Sequence, residues 1–471
     1  MKKTAAALLA SVLLLGPMLS QAESLRDIYE LALQNDAQLK AEEAQYLARK
    51  ETENLSRAAL LPQVNSSYSY RERDSENQGE ARDFNQPGFP IYRALSTTDT
   101  TIDGYVLSLN QALFNLPAWF SFKSGKEISK EAEATFAANQ QNLIVRVVEA
   151  YLLVLRAQDN LTASRAQERA FERQLEQSQQ RFEVGLIAIT DVYEAQAAFD
   201  LSRVNRIVDE NNVQVALERL SVLTGQEPGT LNVLKEDLPL NLPDPIDRAA
   251  WVDFSLQNNF NLQAARHQEE AARQNAMANR MEHAPKVSGG YEYQNFDTSG
   301  SLDVKPDTGF NTSPDGNLEE NVLQLRVDMP LYSGGAISAK RRQTAQEYNA
   351  ARENLINLTR NTVTATRSLH MTVISDVSRV EARKQSIVSS QSAVDATQAG
   401  YEVGTRNVVD VLNAQNTLFI AQRDYFNSRY DYIVNMLRLK EQAGTLSPED
   451  IYNFDAYLVP PEPPAAPAAT P

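Results

Sequence analysis

The stretch Phe182-Glu-Val-Gly-Leu-Ile-Ala-Ile-Thr-Asp-Val-Tyr-Glu-Ala-Gln196 returns later in the chain as Tyr401-Glu-Val-Gly-Thr-Arg-Asn-Val-Val-Asp-Val-Leu-Asn-Ala-Gln415. Glu-Val-Gly, Asp-Val and Ala-Gln recur in register, 219 positions apart. In both places one very long helical pattern stops and another starts. Glycine just past a helix supplies the left-handed residue that ends it, so each copy reads as the tip of a helical hairpin. A chain of 471 residues with such a repeat is read as a duplication.

Before the first tip, Leu116 to Arg181 contains no helix breaker except Pro117, tolerable in a first turn, and Gly125. That is about 66 residues, or roughly 100 Å of helix. Leu143, Val147, Ala150, Val154, Ala157, Leu161, Phe171, Leu175 and Phe182 fall on steps of mostly three and four. This is the spacing of a coiled-coil seam; a helix in a globular core would carry a wider apolar stripe. After the tip, Thr190 to Leu223 is helical and Gly225 closes it. The second half repeats the plan. Leu331-Tyr-Ser-Gly-Gly335 leads into a helix running to about Gly400, with Val373, Val377, Val380, Ile387, Val394 and Tyr401 on its seam, and helix 408–442 follows the second tip.

Upstream of each long helix the period changes from helical to alternating. Ser24 to Leu60 reads as one amphipathic helix, capped by Ser24 with Asp27 and stopped by Pro62. Val64, Ser66, Tyr68 and Tyr70 then share one face of a strand, against Asn65, Ser67, Ser69 and Arg71. Glu72 to Thr98 is polar and reads as a long loop before a second strand around Tyr105, Leu107 and Leu109. Leu256-Gln-Asn, Pro285 and Tyr291-Glu-Tyr293 repeat Leu33-Gln-Asn, Pro62 and Tyr68-Ser-Tyr70 with a spacing of 223. Val287 and Gly289 join the third strand, Thr298 to Glu319 reads as a second polar loop, and Leu323, Leu325, Val327 and Met329 line the fourth strand. Glu227 to Asp247 and everything from Gly444 on are expected to carry little regular structure, and Val459 to Pro471 is a Pro/Ala tail.

The expected organisation is a signal peptide over 1–22, a first repeat over 23–225, an equatorial connector over 226–247, a second repeat over 248–446, and a C-terminal segment with its tail over 447–471. Lys2 and Lys3, the apolar run Ala5 to Leu15 and Ser20-Gln-Ala22 make up the leader. That run is too short to span a membrane and no other approaches the needed length. A mature chain that enters a membrane must therefore do so as strands of a closed barrel. Four strands cannot close one, since the smallest contain about 8. Two copies would give 8 strands and three would give 12. There are no cysteines, which excludes disulfides and thiolate metal sites. The net charge of −16, or −18 without Lys2 and Lys3, argues against a nucleic-acid partner and suits an acidic lumen.

Ala399-Gly-Tyr401-Glu-Val-Gly-Thr-Arg406-Asn-Val-Val-Asp410-Val, Ala188-Ile-Thr-Asp191-Val and the duplicated order of elements resemble the TolC family of outer-membrane efflux ducts. The resemblance covers about Ser24 to Leu446. It implies an α+β membrane protein. In the family a homotrimer forms a 12-stranded outer-membrane β-barrel, four strands per chain, in contact with outer-membrane lipid. The barrel continues as a periplasmic α-helical coiled-coil barrel. The implied partners are a periplasmic adaptor protein and an inner-membrane pump or ABC exporter, in drug efflux or type I secretion of a Gram-negative bacterium.

The resemblance also assigns residues. Three copies of Asp410 would face one another in a selectivity ring, where close like charges attract cations or take up a proton. The locally sufficient reading is that Asn407 caps the following helix and Asp410 favours its N-terminal dipole. The family's second acid is replaced here by Asn413, and Glu194, its counterpart in the first repeat, is expected to supply the missing charge. Tyr401, Arg406, Thr190 and Asp191 match the family's closed-state latch. A tyrosine hydroxyl and a guanidinium both bond a carboxylate. Val184, Gly185, Leu186, Val403, Gly404 and Thr405 match the tips that meet the adaptor. Tyr68, Tyr70, Tyr291 and Tyr293 suit an aromatic belt at the membrane interface.

No catalytic set is visible. His267, His283 and His370 are scattered, and neither a metal-binding spacing nor a phosphate loop occurs. No enzyme activity, cofactor or metal is expected. The alternative is a secreted coiled-coil adaptor or scaffold without a pore. Such a protein has no need of two-faced strands bearing a tyrosine belt.

Overall fold

The computed structural model describes residues 22–307 and 313–461. The expected leader up to residue 21, the middle of the second polar loop and residues 462–471 of the tail lie outside the described residues.

The first repeat begins with α1 (Leu25–Asn35) and α2 (Ala37–Ala58). The expected single helix is therefore broken, and the break is chemical. Asp36 leaves the helix at φ −60, ψ 110. Its carboxylate accepts from the Gln38 N–H at 2.8 Å and pairs with Arg146 at 2.6 Å. Side-chain acceptance of a freed N–H is what lets Asp and Asn interrupt a helix without proline or glycine. Ser24 and Asp27 form the expected capping box.

Two long strands follow, β1 (Gln63–Arg82) and β2 (Ile91–Phe114). They stay paired from Gln63↔Asn110 to Arg82↔Ile91. The expected loop over 72–98 is thus mostly sheet, turning only at residues 83–90. Residues 72–82 are polar on both faces, so no alternation marks them, and the backbone ladder carries the pairing. The signal available in hindsight was the β-branched cluster Thr97, Thr98, Thr100, Thr101 and Ile102 on the partner strand.

Next come α3 (Leu116–Glu183), the first tip, α4 (Ile189–Thr224) and the short β3 (Val233–Leu234). The second repeat holds α5 (Arg248–Asn258), α6 (Phe260–Arg280), β4 (Lys286–Lys305), β5 (Gly316–Asp328), α7 (Ala336–Glu402) and α8 (Val408–Ala443). Its short helices break at Asn259, which stands in the second repeat where Asp36 stands in the first. Asn259 takes the Leu262 N–H on its carbonyl and donates to the Gln442 carbonyl. β4 and β5 also run into the expected second loop, to Lys305 and from Gly316. The C-terminal segment is more ordered than expected. Ser447 caps α9 (Pro448–Asp455), and β6 (Leu458–Val459) pairs with β3 inside the expected connector.

The chain divides into two units. One contains the described residues up to Tyr46, Ala134–Gln263 and those from Ile356 on. Its core gathers around Leu143, Val147, Tyr151 and Leu155 of α3, with Leu25 and Ile28 of α1, Leu220 of α4 and Leu439 of α8. Tyr151 is fully buried, and its hydroxyl donates to the Asn232 carbonyl at 2.8 Å. Most of the expected seam residues are buried, but Ala150 on α3 and Ile387 and Val394 on α7 are only half-buried, and Phe182 is 41 % exposed.

The other unit contains Leu47–Glu133 and Ala264–Leu355. Its antiparallel sheet has the order β1-β2-β4-β5, so β1 and β5 are edges with one side unpaired among the described residues. The register puts Val64, Tyr68, Leu107, Leu109, Tyr291 and Leu323 on one face. Asn65, Ser67, Ser108, Glu292 and Gln324 lie on the opposite face. Among the described residues no helix is long and apolar enough to cross a membrane.

Candidate functional site

The two tips are built alike. At the first, the Gly185 N–H bonds the Phe182 carbonyl and the Leu186 N–H bonds the Arg181 carbonyl, both at 2.8 Å. At the second, the Thr405 N–H reaches the Gly400 carbonyl at 2.9 Å. Gly185 and Gly404 sit at φ 77 and φ 80, with open space where a Cβ would stand. Glycine is therefore required by the left-handed backbone rather than by crowding. Val184, Leu186 and Val403 are each at least 70 % exposed, and Thr405 bonds back to the Gly400 carbonyl.

The helices leaving the tips start differently. Ala188 precedes α4 without a side-chain cap. Asn407 caps α8 in a full capping box: its side chain accepts the Asp410 N–H at 2.8 Å, and the Asp410 carboxylate receives the Asn407 N–H at 3.5 Å. Asp410 also lies 3.7 Å from Arg406. The local reading of Asp410 is therefore present in the protomer, and it leaves the carboxylate partly exposed. Glu194 and Asn413 are exposed on α4 and α8, one turn beyond Asp191 and Asp410 respectively. Within the protomer Thr190, Asp191 and Glu194 have no side-chain partner among the described residues, and Arg406 meets Asp410 instead of Thr190 or Asp191.

Tyr401 is 4 % exposed and packs with Phe171, Val408, Val411 and Leu412 in a small cluster apart from the main core. The Arg181 guanidinium lies 4.6 Å from its ring centroid, a cation–π contact that sequence reading missed. Its hydroxyl is buried without a hydrogen-bond partner, as are Gln174 Nε2, Ser178 Oγ and Gln415 Oε1 nearby on α3 and α8. Each such group costs about 1–3 kcal/mol when left unpaired. The tip seam is thus cheaper to rearrange than the Leu/Val seam further along α3.

In the sheet unit, Tyr68, Tyr70 and Tyr291 are exposed and Tyr293 half-buried. The Tyr68, Tyr291 and Tyr293 hydroxyls bond Asp103, Asn321 and Glu319, each on a neighbouring strand. Tyr105, 5.8 Å from the Tyr293 ring, extends the group. Among the described residues no cluster of His, Asp and Glu could hold a metal ion.

The profile of a family described as outer membrane efflux protein matches residues 28–226 and again 251–445. The outer membrane protein TolC of Vibrio cholerae serotype O1 is 36 % identical over 93 % of this chain and 94 % of its own. TolC of Escherichia coli K12 is 32 % identical, over 92 % and 84 %. The alkaline protease secretion protein AprF of Pseudomonas aeruginosa is 31 % identical, over 94 % and 88 %. Among solved structures, the outer membrane protein VceC from Vibrio cholerae superposes with a TM-score of 0.70 at 17 % identity, covering 89 % of this chain and 96 % of that one.

Proposed function

Since this chain belongs to the outer membrane efflux protein family and is an outer-membrane exit channel, we propose that three copies join their sheets into one barrel. The observation that carries this is the four-stranded sheet with two unpaired edges. Long open edges are a liability unless covered, and no spanning sheet can keep one in lipid. β5 of one copy pairing with β1 of the next removes every edge. Three copies give 12 strands, within the known range of such barrels. The exposed apolar and tyrosine face meets lipid, with Tyr68, Tyr70, Tyr291 and Tyr293 at the interface, and the polar face lines the lumen. A tilted strand of about 9–11 residues crosses the bilayer. The polar outer halves of β1, β2 and β4 therefore project beyond it.

The helices of the two repeats, 23–225 and 248–446, extend into the periplasm and end at the tips. There Asp410 from three copies forms a ring of carboxylates, joined by Glu194 in place of the acid absent at Asn413. Tyr401 and Arg406 of one hairpin bond Thr190 and Asp191 of its neighbour and hold the entrance shut. Three features support this latch. Among the described residues the Tyr401 hydroxyl has no hydrogen-bond partner, the Arg181 guanidinium lies against the Tyr401 ring, and Thr190 and Asp191 have no side-chain partner. Val184, Gly185, Leu186, Val403, Gly404 and Thr405 receive a periplasmic adaptor. An inner-membrane pump or ABC exporter drives drugs or proteins through a duct that itself performs no chemistry.

Planar-bilayer recordings of the purified protein test this. Wild type is expected to show a small conductance blocked by multivalent cations. Asp410→Ala should lose most of the block and Glu194→Gln part of it. Unchanged block in Asp410→Ala refutes the ring, and absence of any channel refutes the duct.

A further inference from the structure

β2 and β5 both lead into long helices, and they do so at one end of the sheet. Phe114 stands opposite Val287, and Lys286 opposite Asp328, so β4 starts between the two junctions. The junctions are therefore two strand spacings apart, about 10 Å. Both expose apolar and aromatic side chains. Trp119, in the first turn of α3, is 46 % exposed, and Leu331 and Tyr332, just before α7, are 81 % and 83 % exposed. Tyr332 comes eleven positions after Asn321, the partner of Tyr293. A tilted strand of about 9–11 residues crosses a bilayer. This second group therefore sits one membrane thickness from the tyrosines, on the helix side. Tryptophan and tyrosine favour headgroup depth, where the ring meets hydrocarbon and its polar atom meets water.

Charge sets the two levels apart. From Phe114 to Lys126 and from Met329 to Gln346 no acid occurs, against Lys123, Lys126, Lys340, Arg341 and Arg342, in a chain of net charge −16. All five are exposed. The Lys123 ammonium lies 5.6 Å from the Trp119 ring centroid, and the Lys126, Arg341 and Arg342 side chains have no partner among the described residues. The acids bordering these stretches are already engaged. Glu127 pairs with Lys130 at 2.7 Å, Asp328 pairs with Arg326 at 2.8 Å, and Glu347 accepts from Gln343 at 2.7 Å. Beyond Tyr68, by contrast, the lipid-side face of β1 and β2 carries Glu72, Asp74, Glu76, Asp99 and Asp103, which repel anions. Free cations beside exposed rings at headgroup depth match a phosphate with acyl chains attached. We propose that the two junctions of each chain hold anionic phospholipids of the periplasmic leaflet. The phosphate lies among the Lys and Arg side chains and the acyl chains lie against Trp119, Leu331 and Tyr332. This rests on the barrel reading above and adds the class of lipid to it.

The chain carries its own reporter. It has two tryptophans, and Trp251 is buried, so only Trp119 is open to a quencher. The full-length protein is reconstituted in phosphatidylcholine vesicles containing dibrominated phosphatidylglycerol or dibrominated phosphatidylcholine, whose bromines quench an indole on contact. Each Lys or Arg near an anionic surface is worth about fivefold in affinity. Quenching of Trp119 is therefore expected to show at least about a fivefold preference for phosphatidylglycerol. Lys126→Gln, Lys340→Gln, Arg341→Gln and Arg342→Gln together should abolish the preference, with Lys123 kept so that the surroundings of Trp119 stay the same. Equal quenching by the two lipids before these replacements overturns the proposal and leaves the barrel standing. A preference that survives all four replacements overturns it too. Quenching by neither lipid would take Trp119 out of the membrane and overturn the barrel reading along with the proposal.

Discussion

Tyr401 carries a buried hydroxyl with no hydrogen-bond partner among the described residues, on a ring with the Arg181 guanidinium against it. If a neighbouring hairpin supplies the missing acceptor, Tyr401→Phe combined with Arg406→Ser should raise closed-state conductance severalfold in bilayers; an unchanged conductance assigns Tyr401 to packing alone. Far from the tips, the Tyr430 hydroxyl donates to Asp159 at 2.5 Å. Burial pushes the Asp159 carboxyl above its usual range, and the bond from Tyr430 only partly offsets this. An acid with a raised folded pKa destabilises the fold once ionised, so stability falls as pH rises from the ordinary carboxylate value through the folded one. Asp159→Asn keeps an acceptor and removes the charge. It should raise the trimer's dissociation temperature at about pH 7 and flatten its dependence down to about pH 4. A lower temperature at neutral pH would show that the charge is needed. At this scale the tip glycines and the Asn407–Asp410 cap were legible in the sequence, because turn and cap chemistry is local. The Arg181 contact and the orphaned hydroxyl were not, because they arise only when α3 packs on α7 and α8.

The elements obey local rules of uneven visibility. Seam spacing and Gly-bearing tips fixed the long helices to within two or three residues. The breaks at Asp36 and Asn259 escaped notice because an acceptor side chain, not a proline or glycine, makes each one. They lie where α4 and α8 end. Gly225 comes against Asn35, and Gly444 against Asn258 and Asn259. These two ends differ in a testable way. Both glycines are left-handed, at φ 73 and φ 71. A Cβ on Gly225 would stand 3.4 Å from the Asn35 Cβ, an ordinary contact, but on Gly444 it would fall 2.3 Å from the Asn258 carbonyl oxygen. Gly225→Ala should therefore cost about 1 kcal/mol and Gly444→Ala clearly more. The ordering can be read from thermal melts of the two variants. Equal losses would mean that the helix end is free to move away. The strands were half legible: alternation shows where one face is apolar and the other polar, and vanishes where both are polar, though the ladder runs on.

For the whole molecule the count of copies is the quantity that no single chain contains. Four strands demand partners, and 8 or 12 both satisfy geometry; the tip motifs and their resemblance to a known family choose three. Two-faced strands, open edges and paired tips agree on the same assembly, and this agreement between levels is what a specified fold shows. Native mass spectrometry of the protein extracted from outer membranes in mild detergent tests the central claim most directly. The account predicts a single species of three chains. A lone chain, or a pair, would contradict it.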